Sequence, residues 1–373
     1  MRGRSEYDGL TREGNEEAIR LFSEAIAEDS SFALAWAGLA DGYFQRVQMF
    51  GYPAEWADSG GVAAERALEI DPELPEGYKS FGNALGLKGR ATEALDMYVR
   101  AFELNPNLNA AVNNIGYSHF VFGEQDEALR WIKRAFTLSP NLVLYRSNVA
   151  NEYMWLGEYD IARAWLDRAR ALWPRNWNVE FAQWQLDVDE SGPVEANRRL
   201  VVTYGDDLDA PQILAALAAG AMLSGDAETA LAYAEAASAA APDGGAPVAF
   251  YDSRIVRAWA LSRDGLTSEA LEILNAIGAE RDRLVEQGAE TARLYYLAGQ
   301  VHALRGSNEE AVNSLVNAFE AGYTYYNWFD LDPTISAVRD DPRLVDLRHA
   351  AESEIARQRA EIEAEERAAG ERD

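Results

Sequence analysis

Residues 75–106 read PEGYKSFGNALGLKGRATEALDMYVRAFELNP, and residues 109–140 read NAAVNNIGYSHFVFGEQDEALRWIKRAFTLSP. Laid one on the other, the two strings place Gly82 over Gly116, Gly89 over Gly123, Ala94 over Ala128, Ala101 over Ala135 and Pro106 over Pro140, each pair 34 residues apart. Prolines stand at 72, 106, 140 and 174, and Pro242 falls two further periods on. A period held at small and turn-forming residues belongs to a repeated structural unit and not to composition.

Within each period two apolar-periodic stretches of about a dozen residues, as at 76–88 and 92–104, are separated by Gly89, Gly123 or Gly157, which suit a helix end that needs positive φ. Each period therefore predicts a helical hairpin. The residue before a proline is biased away from helix, so Asp71, Asn105, Ser139 and Trp173 are expected to end the second helix of their units. Gly82, Gly116 and Ala150 on the first helix, with Ala101, Ala135 and Ala169 on the second, mark levels where helix backbones come close. A larger side chain there overpacks, at a cost of roughly 1–3 kcal/mol.

Tyr78, Phe81, Gly82, Leu85, Ala94, Tyr98, Ala101 and Pro106 fill one copy of a pattern that Val112, Ile115, Gly116, His119, Ala128, Ile132, Ala135 and Pro140 repeat, and Arg146, Ala150, Tyr153, Ala162, Leu166, Ala169 and Pro174 repeat again. These residues resemble the tetratricopeptide repeat over 75–176. The resemblance implies an all-α, right-handed superhelical solenoid of antiparallel helix pairs. Frayed copies extend it to about eight units. Residues 33–74 (Trp36, Leu39, Ala40, Tyr43, Ala67, Pro72) carry extra residues around Phe50-Gly51-Tyr52-Pro53. Ala18, Phe22 and Ala25 read as the second helix of an earlier unit. Residues 177–210 put Trp184 where a small residue belongs and are expected to sit distorted. Units near 211–242, 251–291 and 292–323 resume the pattern. Residues 1–323 thus read as solenoid and 324–373 as a C-terminal capping segment, an aromatic run from Tyr323 to Phe329 followed by a polar helix over 343–369.

The N-terminal Arg2-Gly3-Arg4, Leu10-Thr11, Ala18-Ile19 and Ala33-Leu34-Ala35-Trp36-Ala37-Gly38-Leu39-Ala40-Asp41, with the closing Asp341-Pro342-Arg343-Leu344, are similar to the C-terminal repeat region of bacterial multidomain signalling proteins of cyclase, kinase or winged-helix type. A start at Met1-Arg2-Gly3-Arg4 without the apolar segment of a secretory signal predicts a cytoplasmic chain, and the likeness implies a periplasmic one if a membrane span precedes it.

Asp and Glu total 62 against 34 Lys and Arg, a net charge of −28, and lysine occurs only at 79, 88 and 133. Such a field repels nucleic acid and anionic lipid and favours basic or neutral protein partners, although an acidic surface also keeps a long apolar spine soluble. Without cysteine there is neither disulfide nor thiolate metal site, and no run of 18 apolar residues predicts membrane insertion.

No catalytic role, cofactor or metal is expected. His119, His302 and His349 form no HExxH, and no GxxxxGK[ST], GxGxxG or GxSxG occurs. Carboxylate pairs such as Asp187, Asp189 and Glu190, or Asp206 and Asp207, read as chance neighbours in Gly-flanked loops. A binding groove is better marked. In the geometry the resemblance implies, Lys79, Asn83, Asn113, Asn114, Tyr117, Phe120, Asn148, Asn151 and Trp155 line the concave face and form a peptide-binding set. Asn114 and Asn148 are one period apart, as are Tyr117 and Asn151, and a carboxamide offers both donor and acceptor to an extended peptide backbone. Lys79, Asn83 and Asn114 also match the first part of a chaperone-binding carboxylate clamp, but Leu144 and Asn148 stand where its two further cations belong. A third possibility is that the asparagines bond only neighbouring helix backbone. Of the aromatic belt over 145–184, Trp155 alone takes a groove position, where it offers a cation–π face. The set reads as a non-catalytic scaffold for an extended protein segment, or alternatively a regulatory sensor of a small ligand or short peptide near 177–210.

Overall fold

A computed structural model describes residues 2–205, 208, 210–241, 252–263 and 265–370, and among them every regular element is helical. A leading pair, α1 (Arg2–Asp8) and α2 (Arg12–Glu28), precedes eight hairpins. These are α3 (Ala33–Phe50) with α4 (Trp56–Ile70), α5 (Pro75–Leu87) with α6 (Ala91–Leu104), α7 (Asn109–Val121) with α8 (Gln125–Leu138), and α9 (Val143–Trp155) with α10 (Tyr159–Leu172). They continue with α11 (Trp177–Ser191) and α12 (Pro193–Tyr204), α13 (Pro211–Leu223) and α14 (Ala227–Ala240), α15 (Ser253–Leu261) and α16 (Ser268–Glu286), and α17 (Ala292–Leu304) and α18 (Asn308–Glu320). A short α19 (Tyr326–Leu331), a 3₁₀ turn (Pro333–Ile335) and the long α20 (Pro342–Ala369) close the chain. Pro242 and the pair Asp206 and Asp207 lie outside the described residues.

The hairpins follow from the residues that punctuate them. Asp71, Asn105, Ser139 and Trp173 leave helical geometry directly ahead of their prolines. Gly89, Gly123 and Gly157 turn the chain at φ of +74°, +79° and +79°. Ala94, Ala101, Ala128, Ala135, Ala162 and Ala169 are buried where α6, α8 and α10 meet their partners. At Gly116 a Cβ would lie 2.6 Å from Ile132 Cγ1, so the α7–α8 approach excludes any side chain. The 177–210 unit departs in detail: α11 reaches 15 residues and passes into α12 through the single residue Gly192, while Trp184 fills a fully buried site against Phe181 and Trp328.

The solenoid winds tightly enough to meet itself. Gly89 accepts a hydrogen bond at its carbonyl from the Glu290 amide at 3.0 Å. One unit on, Gly123 lies against Gly322, and Gln125 Nε2 donates to Thr324 Oγ1 at 2.8 Å across 199 residues. A further unit on, Gly157 meets the Arg359 side chain. The hairpin turns of three successive units thus touch the chain about six 34-residue units later.

The C-terminal helix packs its first turn on α18, where Leu344 joins Val312 and Leu315 in one core and Arg343 pairs with Glu309 at 2.9 Å. Its later turns run back over α8. Gln358 accepts from the Gln125 amide at 2.8 Å and donates to the Gly123 carbonyl at 3.0 Å, Arg130 pairs with Glu365 at 2.8 Å, and Tyr153 and Lys133 both reach the buried Glu366. Leu344, Ile355 and Ile362 are its only large buried apolar side chains, so the strap is polar along most of its length. One correction concerns Asp187, Asp189 and Glu190, which belong to α11 and not to a loop.

Gly322 combines φ of +96° with a contact in which a Cβ would lie 2.3 Å from the Phe122 carbonyl oxygen, whereas Gly306 has φ of +78° and open space around it. Gly306→Ala carries the left-handed backbone cost alone, about 1 kcal/mol. Gly322→Ala adds overpacking of roughly 1–3 kcal/mol against backbone. Urea midpoints are expected to separate the two variants by that margin, and small-angle scattering to show a larger radius only for Gly322→Ala.

Candidate functional site

The 34-residue period carries equivalent positions along the first helices, so Ser80, Asn114 and Asn148 form one row, and Asp41, Asn83, Tyr117 and Asn151 a neighbouring one. At the start of these rows Asp41 is buried and accepts from Arg4 Nη1 at 3.0 Å, Ser80 Oγ at 2.7 Å and the Lys79 ammonium. Burial raises the Asp41 pKa, but the fields of Lys79 and Arg4 outweigh it and hold the carboxyl below its ordinary range. Arg4 comes from α1, which lies on the concave side of α3: Gln45 Nε2 also donates to the Tyr7 carbonyl at 3.1 Å.

The next bonds step from unit to unit. Asn83 Oδ1 accepts from Tyr98 Oη at 3.1 Å and from Asn114 Nδ2 at 2.8 Å. Asn148 Nδ2 donates to Asn113 Oδ1 at 3.0 Å, and Asn113 Nδ2 approaches Asn114 Oδ1 at 3.3 Å. The asparagines therefore bond neighbouring helices, side chain to side chain and not side chain to backbone. Lys79, at 3% exposure, is committed to Asp41 and offers no free ammonium to a ligand carboxylate. The partial match to a carboxylate clamp ends there.

Of the nine groove residues, Lys79, Asn83 and Asn113 are buried, while Asn114, Phe120, Asn148, Asn151 and Trp155 are partly open. Tyr117 is 52% exposed. Tyr117 stacks on Phe120 at 5.7 Å between ring centroids, and Phe120 leads to Trp155 at 6.1 Å. Both Phe120 and Trp155 meet Tyr325, at 5.7 and 4.5 Å. The aromatic run after Tyr323 thus enters the concave space. Asn327 Nδ2 donates to Tyr159 Oη at 3.1 Å, and Trp328 Nε1 donates to Asp189 at 3.0 Å. Asp332 anchors the end of the run, accepting from Tyr296, Gln300 and Thr334. Sequence reasoning missed Arg4, Asp41 and Asp189 as groove residues and placed 323–329 at the far end. The period did hold a signal for Asp189, which stands 34 residues after Trp155.

Asp189 is a carboxylate of this region whose titration is displaced upward. Burial, reinforced by neighbouring Glu190, pushes its pKa up to about 7 against the opposing pull of the Trp328 hydrogen bond. The three histidines lie apart. His119 Nδ1 meets Glu124 Oε2 at 2.6 Å beside the α7–α8 turn.

Residues 80–142 match the family described as Tetratricopeptide repeat. No curated protein matches the chain. Among solved structures, YrrB, described as a TPR protein with an unusual peptide-binding site, is 20% identical, with 49% of this chain and 94% of that one covered and a TM-score of 0.34. TTC0263, a thermophilic TPR protein of Thermus thermophilus, is 20% identical over 46% and 90%, with a TM-score of 0.40. PilF of Pseudomonas aeruginosa is 19% identical over 54% and 92%, with a TM-score of 0.40. The chain is accordingly similar to tetratricopeptide-repeat proteins, whose helical hairpin its own units share.

Because the folded Asp189 binds its proton more tightly than an unfolded aspartate, the native state holds the extra proton between about pH 4 and 7. Its contribution to stability is complete below that window and is lost as pH rises through it. Asp189→Asn keeps an acceptor for Trp328 and removes the titration. Urea midpoints measured from pH 4 to 8 are expected to fall less steeply in the variant, with the variant ahead at pH 8. Parallel curves would show that Asp189 ionises freely.

Proposed function

We propose that the chain is a non-catalytic scaffold whose concave face, centred on α7 and α9, binds an extended segment of a protein partner. One observation carries this reading: Tyr117 stands half exposed beside the partly open Asn114, Asn148 and Asn151, polar side chains of the first helices α7 and α9. A phenol beside carboxamides supplies apolar area together with donors and acceptors for a peptide backbone. The amide bonds between units hold these side chains in place before a ligand arrives, so little ordering is lost on the scaffold side. A charge of −28 favours basic partners and disfavours phosphate backbones. No described helix is long and apolar enough to cross a membrane.

Lys79, Asn83 and Asn113 serve in this reading as support beneath the strip, and Asn114, Tyr117, Asn148, Asn151 and Trp155 as its contact surface. Peptides selected from a random library are expected to lose about tenfold in affinity on Tyr117→Ala, roughly 1.4 kcal/mol, with an unchanged melting temperature because the ring is half in water. Selected peptides that bind the variant as tightly as the parent would remove the strip from the reading.

A second reading, a sensor of a small ligand, is favoured by a cleft of about 470 Å³ between α10, α11 and α12. Arg163, Arg170, Arg198 and Arg199 line it, with Glu180 and Asp187 beneath them. Every one of these cations pairs with a carboxylate of the same region, which leaves little net field for an anion. If the cleft is a receptor, a mixture of small carboxylates and phosphates raises the melting temperature and changes the scattering radius. No shift under saturating mixture disposes of it.

A further inference from the structure

On α9 the residues Asn148, Asn151, Glu152 and Trp155 stand at i, i+3, i+4 and i+7 and share one face. Glu152 breaks the repeat's own rule. One and two units earlier its place holds Ser118 and Ala84, and one unit later Leu186, all buried side chains without charge. Glu152 is equally buried, at 4% exposure, yet its Oε2 has no hydrogen-bond partner and no ion pair of the described residues includes it. Its neighbour Asn151 likewise leaves Oδ1 without a donor. A buried polar atom left without a partner costs about 1–3 kcal/mol, and local rules broken at such expense mark functional positions.

We propose that this face of α9 receives a cationic side chain, a guanidinium or ammonium, from the segment bound in the groove. The inference rests on the scaffold reading above and names the residue class that anchors its ligand. Two acceptors without donors on neighbouring residues call for a group that only donates, and arginine and lysine are the charged side chains of that kind. Trp155, with Phe120 and Tyr325 around it, adds aromatic faces that attract a cation. The acidic field of the whole chain acts in the same direction.

The charged state of Glu152 supplies an independent readout. Burial holds its pKa well above the usual carboxylate range, which favours the protonated form in the free protein. The titratable groups coupled to this corner are Tyr325 from the C-terminal run, together with Tyr117 of α7, Tyr323 and Arg293 of α17, which act on Tyr325. A bound cation favours the carboxylate and drives the proton into solvent.

The test uses the full chain and library-selected peptides in which each arginine or lysine is replaced in turn by citrulline or norleucine. One replacement is expected to weaken binding at least tenfold, and calorimetry in buffers of differing ionisation heat to show about one proton released only with the cationic peptide. Glu152→Gln is expected to bring the two peptides within twofold of each other and abolish the proton release. Peptides that bind equally with and without the cation overturn the inference and leave the scaffold reading standing. If no library peptide binds at all, the scaffold reading falls and this inference with it.

Discussion

Close approach of helix backbones at small residues is the constraint on which the architecture depends. Ala101, Ala135 and Ala169 have no exposed surface, and Gly116 has no room for a Cβ. A hairpin of two short helices, such as α5 and α6 of 13 and 14 residues, cannot bury its apolar faces alone, so stability comes from neighbours. The 34-residue period is the sequence record of that need, since each unit must present the same small residues at the same heights to be stacked upon.

The concave side shows how polar residues serve the same end. Asp41 with Lys79 and Ser80, Asn83 with Asn114, and Asn113 with Asn148 join consecutive first helices through side chains. A hydrogen bond of this kind contributes about 1 kcal/mol net, but leaving a buried partner unsatisfied costs about 1–3 kcal/mol. The ladder therefore penalises slippage between units more than it adds to stability. Its remaining donors and acceptors are held at fixed places.

The hairpins were legible because their determinants are local: a proline, a turn glycine and apolar periodicity all lie within one unit. About eight units were read and eight hairpins are seen among the described residues, with the extra residues near Phe50 extending α3 to 18 residues as its pattern allowed. The groove was legible only in outline. Lys79 reads as a free cation until Asp41, 38 residues away, is brought against it. Tyr325 and Trp328 read as a terminal aromatic run until the superhelix carries them onto Trp155 and Asp189. Contacts across about six units depend on superhelical pitch, which sums small rotations that no single unit encodes.

The meeting of Gly89, Gly123 and Gly157 with segments one winding later changes how such an array can evolve. An open array lengthens or shortens by whole units with only local effect. Here, loss of one hairpin between Gly123 and Gly322 shifts every later segment by a unit, and Gly322 no longer faces Gly123. The number of hairpins between the two glycines is therefore set by the contact itself, and chains that keep it should vary in length at their ends and by point substitution, and rarely by duplication in their middle.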